Sequence, residues 1–187
     1  FMFRRLRRFI RRLVSRKKKQ PIKPRLRFVV DARSKEGLAT LDKRVQPTFT
    51  QLVQIAKAMG QKYGVEVKAI SGHRSYSKQA ELYAKGRTMP GSIVTHAKPG
   101  YSKHNFGTAL DFGCFDKKTG EYLDAKDGKL VAKIYRAIYN EAERQDLRIT
   151  WGGLWRSFKD TPHFEYITGL TMAEMRQRKE AGLPVFA

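Results

Sequence analysis

The sequence predicts an α+β fold, with a small, largely antiparallel sheet flanked by helices. Three observations carry this. Two long segments place apolar residues at helical spacing. Five short segments read as strands, but strands and helices do not alternate in the regular order that a doubly wound parallel sheet requires. The 187 residues, 41% of them hydrophobic, are enough for one domain with a real core. The single cysteine, Cys114, excludes an intramolecular disulfide scaffold and reads as a buried strand residue.

Residues 1–19 read as a basic amphipathic helix. Phe3, Leu6, Phe9, Ile10, Leu13 and Val14 recur at three- and four-residue spacing, and Arg4, Arg5, Arg7, Arg8, Arg11 and Arg12 fill the positions between. Pro21 and Pro24 end it and make a linker. The boundary therefore falls at residue 24, with a cationic arm over 1–24 and a folded domain over 25–187. Phe28 to Val30 is a short strand candidate. Pro47 to Met59 is a helix, with Phe49, Leu52, Val53, Ile55, Ala56 and Met59 as its stripe and Pro47 in its first turn. Val65 to Ile70 alternates and reads as a strand that delivers Ser71 to Ser75 at its end. Ser77 to Lys85 is a short helix stopped by Gly86. Arg87 to Lys103, with its glycines and prolines, is a long loop, and loops of that length are often functional. Thr108 to Phe112 is a core strand. Lys129 to Gln145 is a helix with Leu130, Ile134, Ala137, Ile138 and Ala142 inward. Arg148 to Trp151 and Phe164 to Ile167 are strands, and Met172 to Glu180 is a terminal helix.

Net charge is +22. Residues 1–27 hold thirteen Lys and Arg and no acid, so the rest of the chain still carries +9. Such a protein seeks polyanions: nucleic acid, anionic lipid, lipopolysaccharide or teichoic acid. A basic amphipathic helix typically lies in a membrane interface, so residues 1–19 are expected to bind an anionic envelope or membrane, and nucleic acid only non-specifically. No run of about 18 apolar residues occurs, so no transmembrane helix is expected. The cationic start is not followed by an apolar stretch, so no signal peptide is expected.

The chemistry concentrates in two places. His104-Asn105-Phe106-Gly107-Thr108-Ala109-Leu110-Asp111 is followed by Asp160-Thr161-Pro162-His163. They offer two imidazoles and one carboxylate for a divalent metal, with a second carboxylate three residues before the last imidazole. Three protein ligands that leave a position to water is the arrangement of catalytic zinc; a closed set of four is structural. The separation of His104 from Asp111 does not suit one helix face, but fits a histidine before a strand and an aspartate on it. Gly107 and Ala109 leave room for backbone and metal to approach.

These motifs resemble the zinc peptidases of the VanY-like D,D-carboxypeptidase superfamily. Within it, the chain is most similar to the L-alanyl-D-glutamate endopeptidases found among phage endolysins. The resemblance rests on Ser71-Gly72-His73-Arg74-Ser75-Tyr76 with Gln79, Gly86-Arg87-Thr88, Pro90 to Thr95, Lys98 to Ser102, the His104 to Asp111 run, Trp151-Gly152-Gly153, and Phe158 to Glu165. It spans residues 31–167 and leaves the first thirty outside.

The resemblance implies the hedgehog/D,D-peptidase fold and one zinc ion held by His104, Asp111 and His163. It implies that Asp160 is the general base, with Glu165 as its rival; Glu165 reads as a group that orients a ligand. Arg74 stabilises the oxyanion of the tetrahedral intermediate or clamps a substrate carboxylate. Gln79, Ser102, Trp151, Gly153 and Trp155 are expected along the substrate groove. His73 is expected to be structural, and His96 to sit on the cleft rim.

The expected function is a monomeric zinc endopeptidase that cuts the stem peptide of peptidoglycan, between L-alanine and D-glutamate, as a bacteriolytic endolysin. It would stay in the host cytoplasm until lysis and then act on the cell wall. Two alternatives stand beside it. One is a D,D-carboxypeptidase that trims terminal D-alanine. The other is a cationic membrane- or nucleic-acid-binding protein whose zinc domain only gives structure.

Overall fold

The structure, a computed structural model, describes residues 29–123 and 127–186. The helix expected over 1–19 and the linker to residue 24 lie outside these residues, as does Phe28. Val29 and Val30 form no strand. In its place, a helix the sequence reading lacked, α1 (Ala32–Ala39), follows immediately. Asp31 caps it by accepting from the Ser34 amide at 2.9 Å. Ser34 is fully buried; its Oγ donates to Asp31 and accepts from the Ala69 amide at 3.0 Å, which fastens α1 to the first strand.

Next come α2 (Gln46–Lys62), β1 (Val65–Ser71), α3 (Tyr76–Ala84), a 3-10 turn (Lys103–Phe106) and β2 (Ala109–Asp116). They are followed by α4 (Gly128–Arg144), β3 (Ile149–Trp151), a second 3-10 turn (Gly152–Leu154), β4 (His163–Tyr166) and α5 (Met172–Glu180). The four strands form one sheet in the order β1-β2-β4-β3, and all three pairings are antiparallel. This is the expected α+β architecture.

Alternation along the strands gives the sheet two faces. Val65, Val67, Ala69, Leu110, Phe112, Cys114, Trp151 and Phe164 pack on one face into the main core, beneath α2 and α4. Cys114 is thus the buried strand residue the sequence suggests, and burial pushes its thiol up to about 11. Leu130 corrects the predicted stripe of α4: it is exposed, and Tyr135 lies inward instead, donating to the Phe112 carbonyl at 2.7 Å.

The opposite face carries Asp111, paired across the strands with His163 on one side and Ser71 on the other. The β1–β2 register shifts between Ala69 and Ser71, and the chain then turns toward the start of α3. A smaller core of Phe106, Met175 and Val185 underlies the 3-10 turn that carries His104. Lys179 on α5 donates to the Asn105 carbonyl at 2.7 Å, so the C-terminal helix braces this turn. Among the described residues, no helix is long and apolar enough to cross a membrane.

Candidate metal centre

His104, Asp111 and His163 reach one point from three different segments. His104 lies in the 3-10 turn before β2, closed by Gly107 at φ +64°. A side chain at Gly107 would place its Cβ 2.9 Å from the Asp42 amide nitrogen, so glycine is required by the turn and by this contact. That is a backbone reason, rather than the space for metal expected of it. Asp111 and His163 are direct cross-strand partners of β2 and β4, so their side chains leave the sheet on the same face.

Asp111 Oδ1 lies 2.8 Å from His163 Nδ1 and 3.1 Å from His104 Nε2, and the two nitrogens lie 3.1 Å apart. The outer nitrogens fix the tautomers. His104 Nδ1 faces the Gly72 carbonyl at 2.7 Å, an acceptor only, so it carries the proton and leaves Nε2 a lone pair. His163 Nε2 donates to Glu165 at 3.0 Å, which leaves Nδ1 free to ligate. Three lone-pair atoms this close repel each other unless a proton or a cation lies among them.

The electrostatics agree. Burial alone would depress the His163 imidazole, but hydrogen bonds to Asp111 and Glu165 push it up to about 10. Burial would raise the Asp111 carboxyl, but the two imidazoles hold it well below the usual carboxylate range. Among the described residues, this is the one His/Asp group whose ligand atoms converge, all within 4.8 Å. Two imidazole nitrogens and one carboxylate oxygen, with their outer nitrogens anchored, are the donor set of a three-ligand zinc site.

Around this centre the other predicted residues take distinct places. Asp160 is half-buried in the loop before β4 and faces the cluster. Burial and the Asp111 charge raise its carboxyl, against the opposing pull of His163, His104 and Arg74. Glu165 stands two residues after His163 on the same strand face and holds that imidazole. Arg74 Nη2 lies 3.9 Å from Asp111 Oδ2 and 3.3 Å from Ser71 Oγ. Gln79 is fully buried: it accepts from Arg74 Nη1 at 3.1 Å and donates to the Ala97 carbonyl at 2.7 Å. It therefore positions Arg74 and the long loop rather than offering a free surface. Ser102 is half-buried at the entry to the His104 turn, where its carbonyl accepts from the Asn105 amide. The Trp155 ring lies 5.4 Å from the His163 ring.

Two expected groove residues are placed elsewhere. Trp151 is 1% exposed on the core face, stacked against Tyr139 and Phe164, with its indole N–H donated to the Thr161 carbonyl. Gly153 lies beneath it: a Cβ there would come within 2.2 Å of the indole. Gly152 does the same for the neighbouring loop, where a Cβ would lie 2.5 Å from the Asp160 carbonyl oxygen. The Trp-Gly-Gly motif is thus a packing device that lets Asp160 approach. His73 is exposed and His96 packs its ring on exposed Phe158 at 5.3 Å; neither joins the cluster.

Sequence reasoning missed two supporting groups. The Gly72 carbonyl orients His104, and no side-chain pattern marks a carbonyl. Buried Asn105 donates to the Arg74 carbonyl and accepts from the Gly100 amide, tying together the three segments around the ligands. Its place inside the His104 motif was the available signal.

A family model described as VanY, D-alanyl-D-alanine carboxypeptidase, matches residues 38–168, which include the cluster and Arg74, Asp160 and Glu165. The peptidoglycan L-alanyl-D-glutamate endopeptidase CwlK of Bacillus subtilis (strain 168) is 38% identical over 133 residues, 66% of this chain and 74% of CwlK. The crystal structure of the Serratia marcescens L-Ala D-Glu endopeptidase ChiX superposes with a TM-score of 0.53 at 25% identity, covering 78% of this chain and 92% of ChiX. With the family model matched over most of its described residues, the chain belongs to the VanY family.

Proposed function

We propose that this chain is a zinc-dependent peptidoglycan endopeptidase that hydrolyses the L-alanyl–D-glutamate bond of the stem peptide. The observation that carries it is the convergence of His104 Nε2, His163 Nδ1 and Asp111 Oδ1 within 3.1 Å, with both outer imidazole nitrogens anchored. The likeness to CwlK and ChiX supplies the bond. A zinc ion held by these three residues supplies Lewis acidity for hydrolysis near neutral pH.

The protein's own groups do the rest. Asp160 takes a proton from the attacking water and returns it to the leaving amine; burial raises its carboxyl above the ordinary aspartate value. Arg74, fixed by Gln79 and Ser71, presents a guanidinium to the oxyanion that develops on the scissile carbonyl. Glu165 holds His163 with Nδ1 toward the centre. Trp155 walls the site beside His163.

The finer reading is a bacteriolytic, antimicrobial endolysin that acts as a monomer, made in the host cytoplasm and released to the wall at lysis. Its cationic residues 1–19 attach it to an anionic envelope, and bind nucleic acid only through non-specific charge. The test is zinc-dependent release of peptide from purified peptidoglycan, with the fragments identified by mass spectrometry. New L-alanine C-termini and D-glutamate N-termini are expected. Release of D-alanine alone would replace this reading with the carboxypeptidase activity for which the family model is described.

A further inference from the structure

A groove of about 660 Å³ opens beside the metal centre. Its floor is the end of β1 and the turn after it, from Ile70 to Ser75. One wall is a single stripe of α1, with Arg33, Glu36, Gly37 and Thr40 at successive helical turns; the other is Lys78 and Leu82 of α3. Ser71 and Arg74 belong both to this groove and to the surroundings of Asp111, so its inner end meets the site.

The groove is cationic. Arg33, Arg74 and Lys78 line it with one acid, Glu36; Arg74 also lies 3.9 Å from Asp111 Oδ2, so Arg33 and Lys78 are the cations left to a ligand farther along the groove. Arg33 is exposed, its guanidinium 5.6 Å from the Phe115 ring centroid, which steadies it without neutralising it. Lys78 pairs with Glu81 at 2.7 Å, but that pair is more than half exposed and its attraction is correspondingly weak. The N-terminal end of α3 opens on the same groove and has no acid in its first turn.

The stem peptide is asymmetric in charge about the proposed scissile bond. On the amino side lie L-alanine and the glycan, joined through an amide. Every carboxylate of the stem lies on the carboxyl side, beginning with the α-carboxylate of D-glutamate. We infer that this groove is the subsite for the carboxylate-bearing half of the substrate, with Arg33 and Lys78 as its anion-binding groups beyond Arg74. The inference rests on the endopeptidase reading above and sets the direction in which the peptide lies.

The test compares two synthetic stem peptides, one with the D-glutamate α-carboxylate free and one with it amidated, using the full chain and its Arg33→Gln, Lys78→Gln and doubly substituted variants. The wild type should have the lower KM for the free carboxylate. The double variant should raise that KM about three- to tenfold, with kcat much less affected, as loss of one or two partly exposed charge contacts entails. The KM for the amidated peptide should move far less. Equal effects on both peptides, or none on either, would overturn the subsite. If the wild type cleaves neither peptide, the bond assignment fails by itself; calorimetric binding of the uncleaved pair to wild type and variants then reads the same charge preference. Thermal melts of these surface variants verify that they are folded.

Discussion

At the scale of single residues, the centre separates into groups that hold and groups that react, and substitution tells them apart. His104→Ala removes one of three donor atoms, so metal content measured by mass spectrometry should fall from one ion per chain to near zero, with activity lost in parallel. The same measurement distinguishes zinc from ferrous iron, which shares this donor set. Glu165→Gln leaves all three donors in place but weakens the acceptor that orients His163. Metal affinity should fall about 10–100-fold, as loss of such partners typically costs. Asp160→Asn should retain metal and fold but lose about 10²–10⁴ in kcat, the usual contribution of a general base. Normal turnover in Asp160→Asn with a metal-loaded but inactive Glu165→Gln would exchange their roles. The donor set was legible because the short motifs that hold it resemble those of a known zinc-peptidase family; a histidine taken singly reads as an ordinary surface or core residue. Trp151 was misplaced because an indole suits a groove and a core equally, and only the strand register decides which face it takes.

At the scale of elements, α1 rests on Asp31 as much as on apolar burial, since Leu38 is its one large buried side chain. Asp31→Ala should destabilise the protein by about 1 kcal/mol, the typical value of such a cap, as read by denaturant unfolding. Its pH dependence follows from the direction of its shift. Burial tends to raise the Asp31 carboxyl, but the Ser34 hydrogen bonds and the Lys57 charge, at 3.5 Å, bring it below its ordinary value of 3.8. A carboxyl lowered in the folded state stabilises fully above the unfolded value and loses that contribution as pH falls through the folded one. The deficit of Asp31→Ala should therefore be complete at neutral pH and shrink below about pH 4. Gly153→Ala tests the second 3-10 turn. Its Cβ would meet the Trp151 ring at 2.2–2.5 Å, so a loss of about 1–3 kcal/mol is expected from overpacking. The long helices and the sheet were legible from periodicity. α1 was not, because it is short, polar and interrupted by Gly37, and its N-terminal Asp-x-x-Ser signal precedes no apolar run.

At the scale of the whole molecule, charge and catalysis are expected to divide along the chain. Every residue of the centre and its supports lies between Ser71 and Lys179, so deleting residues 1–19 should leave hydrolysis of soluble wall fragments nearly intact. It should reduce sedimentation with, and lysis of, intact cells with anionic envelopes, since ten positive charges are lost. That loss should be largest at low salt, because exposed charges are screened over about 8 Å at physiological ionic strength. Equal action on intact cells at low salt would reduce these residues to a solvated tail. The pairing of Asp111 with His163 and His104 has one more consequence. The three donors are 7 and 52 positions apart in sequence, so an ion shared by them ties off two loops of an otherwise uncross-linked chain. Bound metal then acts as a reversible staple, and stability becomes a function of free metal: above the dissociation constant, each tenfold increase should add about 1.4 kcal/mol. A peptidase built this way would lose its rigidity together with its chemistry wherever a chelator strips the ion, and a melting curve would report the one as faithfully as an assay reports the other.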